Sequence, residues 1–155
     1  MIALKKILFV CTGNTCRSCM AEAIFNKFCD MDGMTAYSAG VSVVPESEAS
    51  YNAAYIVKRY INEDIINRKA VQLTEYMLES SSLIFTMTGY IKDVLVKKFP
   101  DFDYKIFTLK EAVMQKGDIV DPFGGDIMEY EAAYRDLEEC ILVLLKKLKE
   151  DTGIA

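Results

Sequence analysis

Four consecutive apolar residues, Ile7-Leu8-Phe9-Val10, run directly into the polar stretch Cys11-Thr12-Gly13-Asn14-Thr15-Cys16-Arg17-Ser18. A short unbroken apolar run of this kind marks a strand buried on both faces, as in a parallel sheet. From Ser18 onward the apolar residues fall at Met20, Ala23, Ile24, Phe28 and Met31, three and four apart, which predicts a helix with one face inward. The segment therefore reads as strand, tight loop and helix. Parallel strands must be joined by crossovers, so the rest of the chain has to supply alternating helices and strands.

It does so. A second strand is expected over 34–38, ending at Gly40, and a helix over 49–61 with Ala53, Ile56, Val57 and Tyr60 on one side. Thr74 can cap a short helix over 75–79. Residues 83–87 form another apolar run, followed by a helix over about 90–98 that stops before Pro100 and a strand over 104–109. The segment 115–126, rich in Gly, Pro and Asp, precedes one long helix over about 127–149. This alternation predicts an α/β fold: a right-handed, mostly parallel twisted sheet with helices on both faces. At 155 residues, with no linker, repeat or low-complexity stretch, the chain is expected to form one domain over 1–155. In the last helix Ile127, Tyr130, Tyr134, Leu137, Ile141, Leu144 and Leu148 could form a dimer seam. The reading preferred is a helix lying across the sheet of a monomer, with Leu142 and Leu145 widening its apolar face.

The bulk composition removes several functions. A net charge of -5 provides no basic footprint, so nucleic acid is not expected as a partner. The apolar run after Lys6 is far shorter than a signal-peptide core, and no stretch is long enough to span a membrane. Five cysteines, an odd number in a chain of this size, suggest reduced thiols and a cytoplasmic location. There is no histidine at all. Catalytic pairs and zinc sites that need an imidazole are excluded, and acid–base work falls to carboxylate, cysteine, tyrosine or lysine.

Two chemistries could use Cys11, Cys16 and Cys19. Their C-x4-C-x2-C spacing matches that of plant-type ferredoxins. The same letters also read as a nucleophilic thiol, Cys11, closed over by Arg17 and Ser18. Ligands of parallel sheets bind at the carboxyl ends of strands, beside helix N-termini. Gly13 and Asn14 tolerate positive φ, so the loop formed by Thr12, Gly13, Asn14, Thr15 and Cys16 can curl until its amides converge on an anion. The helix that follows adds partial positive charge, and Arg17 can fork onto two phosphoryl oxygens. The same field favours the ionised, nucleophilic form of a thiol placed in it, and Ser18 can donate to the sulfur. A cluster of iron and thiolates is itself anionic and gains nothing from such a nest. It would also need a fourth cysteine, and only Cys29 and Cys140 remain. Phosphate, or a similar oxyanion, is the expected occupant of the loop, with no metal and no cofactor.

Release of an ester or amidate from phosphorus needs a proton donor. The segment after Lys116 offers Asp118, Asp121 and Asp126. Asp121 is the best placed, because Pro122 fixes the backbone after it and Phe123 sets an aromatic beside it. Asp-Pro and Gly-Gly are also ordinary turn chemistry, and the residues alone leave both readings open.

The stretches "VCTGNTCRS" at 10–18, "SAG" at 38–40, "LTE" at 73–75, "MT" at 87–88 and "DPFG" at 121–124 resemble the low-molecular-weight protein tyrosine phosphatase family. The likeness runs from about residue 7 to 149. It implies a four-stranded parallel sheet flanked by helices and a metal-free mechanism through a phosphocysteine. It also implies roles: Cys11 as nucleophile, Arg17 binding the phosphoryl group, Ser18 supporting the sulfur, and Asp121 protonating the leaving group and then activating water. Tyrosine-specific members commonly carry isoleucine or leucine where Thr15 stands, and a second aromatic where this chain has Gly124. "CTGNTCRS" with "DPFGG" is similar to the bacterial protein-arginine phosphatase branch, which implies phosphoarginine proteins as substrates, with Thr15 and Phe123 setting specificity. Phosphotyrosine proteins are the alternative. Arsenate reduction, which needs a relay cysteine pair that 67–85 lacks, and a non-catalytic redox or phosphate sensor are less favoured. The family also implies a reversible disulfide between Cys11 and its redox partner Cys16. One departure is Cys19, where the family usually has proline; this thiol could compete for the pairing or simply pack as a small apolar residue.

Overall fold

Alternation along the first strand decides the layering. In β1 (Lys5–Cys11) the residues Ile7, Phe9 and Cys11 join one buried cluster while Leu8 and Val10 join another, so the strand is covered on both faces. The chain is described by a computed structural model over residues 4–150; the ends of the expected domain, 1–3 and 151–155, lie outside the described residues. After β1 come α1 (Arg17–Phe28), β2 (Met34–Gly40), α2 (Tyr51–Ile61), α3 (Glu75–Ser80), β3 (Leu83–Thr86) and α4 (Gly89–Lys98). A 3-10 helix, Pro100–Lys105, then leads into β4 (Ile106–Thr108), α5 (Leu109–Ala112) and α6 (Ile127–Lys149). The four strands make one sheet in the order β2-β1-β3-β4, and every pairing is parallel.

The two layers differ in size. One face of the sheet packs against α1, α2, α5 and α6 through residues such as Met20, Phe25, Ile56, Leu109, Leu137 and Ile141. Leu78 of α3 and Ile91 and Leu95 of α4 cover the other face. Phe9 lies at the centre of the larger layer, edge-on to Phe25 and tilted against Phe85, both at 5.9 Å between ring centroids. Such contacts add modestly to the area that the rings bury.

The strand order reverses at β1, which has β2 on one side and β3 on the other. Connections leave β1 and its neighbours in opposite directions there and open a crevice at the carboxyl end of the sheet. The loop 12–16 occupies this position. On the outer edge of the sheet the Asn26 side chain pairs with both main-chain groups of Ala36: the Ala36 N–H donates to Oδ1 at 2.8 Å and Nδ2 donates to the Ala36 carbonyl at 3.0 Å.

Most elements follow the sequence pattern, and the differences have local causes. In α1 the inward residues are Met20, Ala21, Ile24 and Phe25, whereas Phe28 is 41% exposed and Met31 lies beyond the helix end. The helix begins against the loop with Arg17, Ser18 and Cys19 already buried, which rotates the covered stripe by about one residue relative to the spacing read from Met20 to Met31. The strand expected over 104–109 shrinks to Ile106–Thr108, because Pro100 starts a 3-10 turn that runs to Lys105. Thr108 then forms a capping box with Glu111 and turns Leu109 into a helix. In α6 the seam residues Tyr130, Tyr134, Leu137, Ile141 and Leu144 are buried within the chain, which favours the packing reading over a dimer seam. Leu142 does not widen that face; it is exposed.

The corrected face of α1 is testable by urea denaturation. Phe25→Ala should cost ~3–5 kcal/mol, whereas Phe28→Ala should cost at most ~1 kcal/mol. Equal losses would restore the original face.

Candidate active site

The loop after β1 is shaped from outside. The carbonyls of Cys11, Thr12 and Thr15 accept from the N–H groups of Val41, Ser42 and Ser50 at 3.0, 2.9 and 2.9 Å. Among the described residues every peptide bond is trans, so the N–H that follows each of these carbonyls points the opposite way. The amides of Thr12, Gly13 and Cys16 are thereby turned into the loop. Cys16, the residue before α1, makes no side-chain cap, which leaves the first-turn amides of that helix to the same space. Of the two residues that tolerate positive φ, Asn14 makes the left-handed turn, at φ 58°, while Gly13 keeps an ordinary φ.

Cys11 lies at the loop's floor, 3% exposed. Its Sγ is 2.7 Å from the Ser18 hydroxyl and accepts from the Asn14 N–H at 3.2 Å. Asn14 Nδ2 also donates to Ser18 Oγ at 2.7 Å. With Asn14 donating to its oxygen, the Ser18 hydroxyl keeps its own proton to donate to the sulfur whenever the sulfur is a thiolate. Ser18 is wholly buried, so it supports the sulfur from beneath rather than lining the cleft with Thr12, Gly13, Thr15 and Cys16.

Beneath the loop lies a polar network that the spacing of the motif did not reveal. Asn14 Oδ1 accepts from Arg68 Nη1 at 3.0 Å and from the Val71 N–H at 2.8 Å, and Asn14 Nδ2 reaches Ser38 Oγ at 3.1 Å. Arg68 Nη2 donates to Ser38 Oγ at 2.7 Å and pairs with Glu22 at 3.1 Å; Ser38 in turn donates to Glu22 at 2.9 Å. Asn14 is thus held at both ends of its side chain. The only advance signal was Ser38 in "SAG"; Arg68 and Glu22 resemble ordinary surface charges in the sequence. Gly40, two residues further on, packs so closely that a Cβ there would lie 2.5 Å from the Thr12 carbonyl and 3.0 Å from the Asn14 nitrogen.

Arg17 and Asp121 meet above the floor. The Arg17 guanidinium is nearly buried and donates from Nη1 to the Ile119 carbonyl at 3.0 Å, with Nη2 3.5 Å from Asp121 Oδ2. Asp121 is half exposed, and its Oδ1 accepts from the Phe123 N–H at 3.1 Å, so the Asp-Pro turn and the aimed carboxylate are the same feature. Between these groups opens a cleft of about 280 Å³ lined by Cys11 to Arg17, Ser42, Val44, Ser47, Asp121 and Phe123. The three serine and valine residues of its wall were not foreseen; they come from the loop after β2. Asp118 lies outside this cleft, accepting from the Gly89 N–H at 2.8 Å, and Asp126 caps α6.

The other two cysteines of the motif differ in kind. Cys16 lines the cleft, with its Sγ 3.2 Å from the Tyr130 hydroxyl and within 3.6 Å of Ser50 Oγ. Burial, and then the contact with Cys16, push the Tyr130 hydroxyl up to about 12. Cys19 is wholly buried and its thiol donates to the Cys16 carbonyl at 3.1 Å. Burial, and next the neighbouring Cys11, push its pKa far above the thiol range, so it behaves as a small apolar residue. Among the described residues no group of three or more His, Cys, Asp or Glu side chains is arranged to hold a metal ion.

A parallel sheet whose switch point carries an amide-lined loop with a cysteine at its floor and an arginine at its end defines the class of cysteine-based phosphatases. Within that class the chain belongs to the family of low molecular weight phosphotyrosine protein phosphatases, whose model matches residues 6–153. It is 41% identical over 149 residues to a protein-arginine-phosphatase of Bacillus subtilis (strain 168), covering 94% of this chain and 97% of that relative. It is 39% identical over 151 residues to the low molecular weight protein-tyrosine-phosphatase PtpB of Staphylococcus haemolyticus (strain JCSC1435), covering 95% and 99% of the two chains. Among solved structures it is similar to a YwlE arginine phosphatase variant with a phosphorylated active-site serine, at a TM-score of 0.87, 39% identity, and 94% and 97% coverage.

The close approach at Gly40 leads to a test. Gly40→Ala should push the Thr12 and Asn14 backbone out of place and lower kcat on a small aryl phosphate by about 10²-fold, while circular dichroism stays native. An unchanged kcat would mean that the loop's shape does not depend on this contact.

Proposed function

We propose that the chain hydrolyses phosphoarginine in proteins, with Cys11 as nucleophile, Arg17 and the amides of Thr12, Gly13, Asn14, Thr15 and Cys16 as the phosphoryl cradle, and Asp121 as acid and then base. The observation that carries this reading is the buried Cys11 sulfur bonded to Ser18 and Asn14 beneath a cleft whose rim holds Asp121 beside Arg17.

The chemistry follows in two steps. The sulfur attacks phosphorus in line, forming an S–P bond as the P–N bond breaks, and the carboxyl group of Asp121 delivers its proton to the departing guanidine nitrogen. Without that proton the leaving group would be a guanidine anion, far too basic to depart, since even the neutral guanidine is a base whose conjugate acid has a pKa above ~12. The same carboxylate then takes a proton from water, whose oxygen attacks the phosphocysteine; the S–P bond breaks and inorganic phosphate leaves. The amides and guanidinium stabilise the equatorial oxygens in both steps. The bonds from Ser18 and Asn14 stabilise the sulfur as it departs. The phosphorylated serine in the similar solved structure supports a covalent phosphoryl intermediate at the nucleophile position. No step calls for a metal.

Two features favour phosphoarginine. Thr15 brings a short side chain and a hydroxyl to the cleft wall where tyrosine-specific members carry bulkier hydrocarbon, and a relative of high identity is named a protein-arginine-phosphatase. Phosphotyrosine is the second reading, because the Phe123 ring is 75% exposed at the mouth and free to stack on an aromatic substrate. Under hydroperoxide stress Cys11 would become a sulfenic acid, which Cys16 attacks to give a disulfide and water. An odd number of cysteines in a chain of this size and an α6 whose apolar face is covered internally support a cytoplasmic monomer. No helix among the described residues is long and apolar enough to cross a membrane.

Cys11→Ser should abolish turnover, and Asp121→Asn should lower it by ~10²–10⁴-fold, with the wild-type rate unchanged by chelator. Loss of activity on chelation would refute the metal-free mechanism. When phosphoarginine and phosphotyrosine peptides are supplied side by side, the wild type should prefer the former, and Thr15→Ile should shift the ratio of kcat/KM values towards the latter by ~10-fold or more. Equal selectivity in both enzymes would reduce Thr15 to a packing residue.

A further inference from the structure

The cleft does not end at Arg17 and Asp121. On their far side a second cavity of about 420 Å³ shares Thr12, Arg17 and Asp121 with the first and continues between Thr88, Tyr90, Ile91, Asp118, Ile119 and Val120. The shared residues make it an extension of the reaction cleft, and the phosphoryl chemistry leaves it unused. In an extended polypeptide successive residues are ~3.3–3.6 Å apart, so a substrate whose phosphorylated side chain enters the first cavity carries its neighbours past the second.

The walls select what fits. Tyr90 and Val120, at 78% and 76% exposure, are large apolar groups that face solvent and pack on little of their own chain. The Asp118 carboxylate lines the same cavity, fixed by the Gly89 N–H at 2.8 Å and paired with no lysine or arginine among the described residues. Arg17 is already engaged by Asp121 and the Ile119 carbonyl. This open depression therefore offers apolar surface, an exposed aromatic face and a carboxylate without a cationic partner. A long methylene stem ending in a cation satisfies all three at once, through burial of the stem, contact of the cation with the ring, and attraction to the carboxylate. An acidic side chain would face both Asp118 and Asp121.

Resting on the phosphatase reading above, we propose that this second cavity is a substrate subsite for a lysine or arginine side chain adjacent to the phosphorylated residue. The enzyme then reads the cationic context of the modified position as well as the phosphoryl group.

The test uses three phosphoarginine peptides that differ only at the position next to the phosphorylated residue, Lys, Ala or Glu, with each flank varied in turn. The wild type should show kcat/KM higher for Lys than for Glu by ~5-fold on one flank, most of it in KM and diminishing with added salt. Asp118→Asn keeps an oxygen for the Gly89 N–H but removes the charge, so the ratio should fall to near one while turnover of the Ala peptide and of a small aryl phosphate is unchanged. Tyr90→Ala should lower kcat/KM for the Lys peptide alone, by ~2–3-fold. The same kcat/KM for all three peptides on both flanks, or a Lys preference that survives in Asp118→Asn, would overturn the subsite. Should the wild type turn over only phosphotyrosine peptides, the same flanking series built on phosphotyrosine reads the subsite separately, so the two proposals fail by different results.

Discussion

Asn14 holds the loop between β1 and α1 in shape from a single position. Its N–H donates to the Cys11 sulfur, and its φ of 58° turns the chain that follows towards α1. Left-handed backbone costs a residue other than glycine free energy, and asparagine least among the alternatives. The cost is offset by its side chain, which donates to Ser18 and Ser38 and accepts from Arg68 and Val71. These four contacts reach three parts of the chain: α1, β2 and the segment before α3. The turn is therefore fixed by the fold as a whole, and the loop amides that would cradle a phosphoryl group in the proposed reaction are held in place by the protein itself. Preorganisation of this kind is what makes backbone dipoles effective in stabilising a transition state.

An acidic protein must concentrate positive potential where it needs it. The chain carries a net charge of -5, yet the floor of its cleft presents inward amides, the start of α1 and the Arg17 guanidinium. Arg17 is held by the Ile119 carbonyl and Asp121, so the cation is desolvated without being neutralised from below. Arg68, the other arginine near the loop, is compensated by Glu22. Two guanidiniums thus have separate tasks: one faces the cleft, the other braces its underside.

The features of the fold that are local in sequence were legible there. The buried run at Ile7 to Val10, the loop that follows it and the long apolar stripe of α6 each announce themselves within a window of a few turns. So did the constellation of Cys11, Arg17 and Ser18, because all three flank one short loop, at the end of β1 and the start of α1. The stripe of α1 was misread by about one residue, because burial of its first turn against the loop is a tertiary effect that periodicity does not register. Leu142 was misassigned for a related reason: an apolar residue at a plausible spacing can still face water. The end of β4 was legible but overlooked, since "TLKE" at 108–111 is a capping-box pattern. The brace beneath Asn14 was not legible. Glu22, Ser38 and Arg68 come from three distant segments, and only the folded chain brings them together beneath Asn14. Tyr130 against Cys16 is a contact of the same long-range kind.

The pairing of Asn26 with Ala36 has a bearing on how the molecule behaves in a crowded solution. A border strand with free main-chain groups is a template on which another chain can grow, the first step towards fibrils and exchanged dimers. Here one amide side chain, returned by α1, imitates the missing neighbour and satisfies both groups at the middle of that border. A foreign strand would have to dislodge it before aligning, so the fold guards against self-propagating association without spending a proline or a surface lysine at that position.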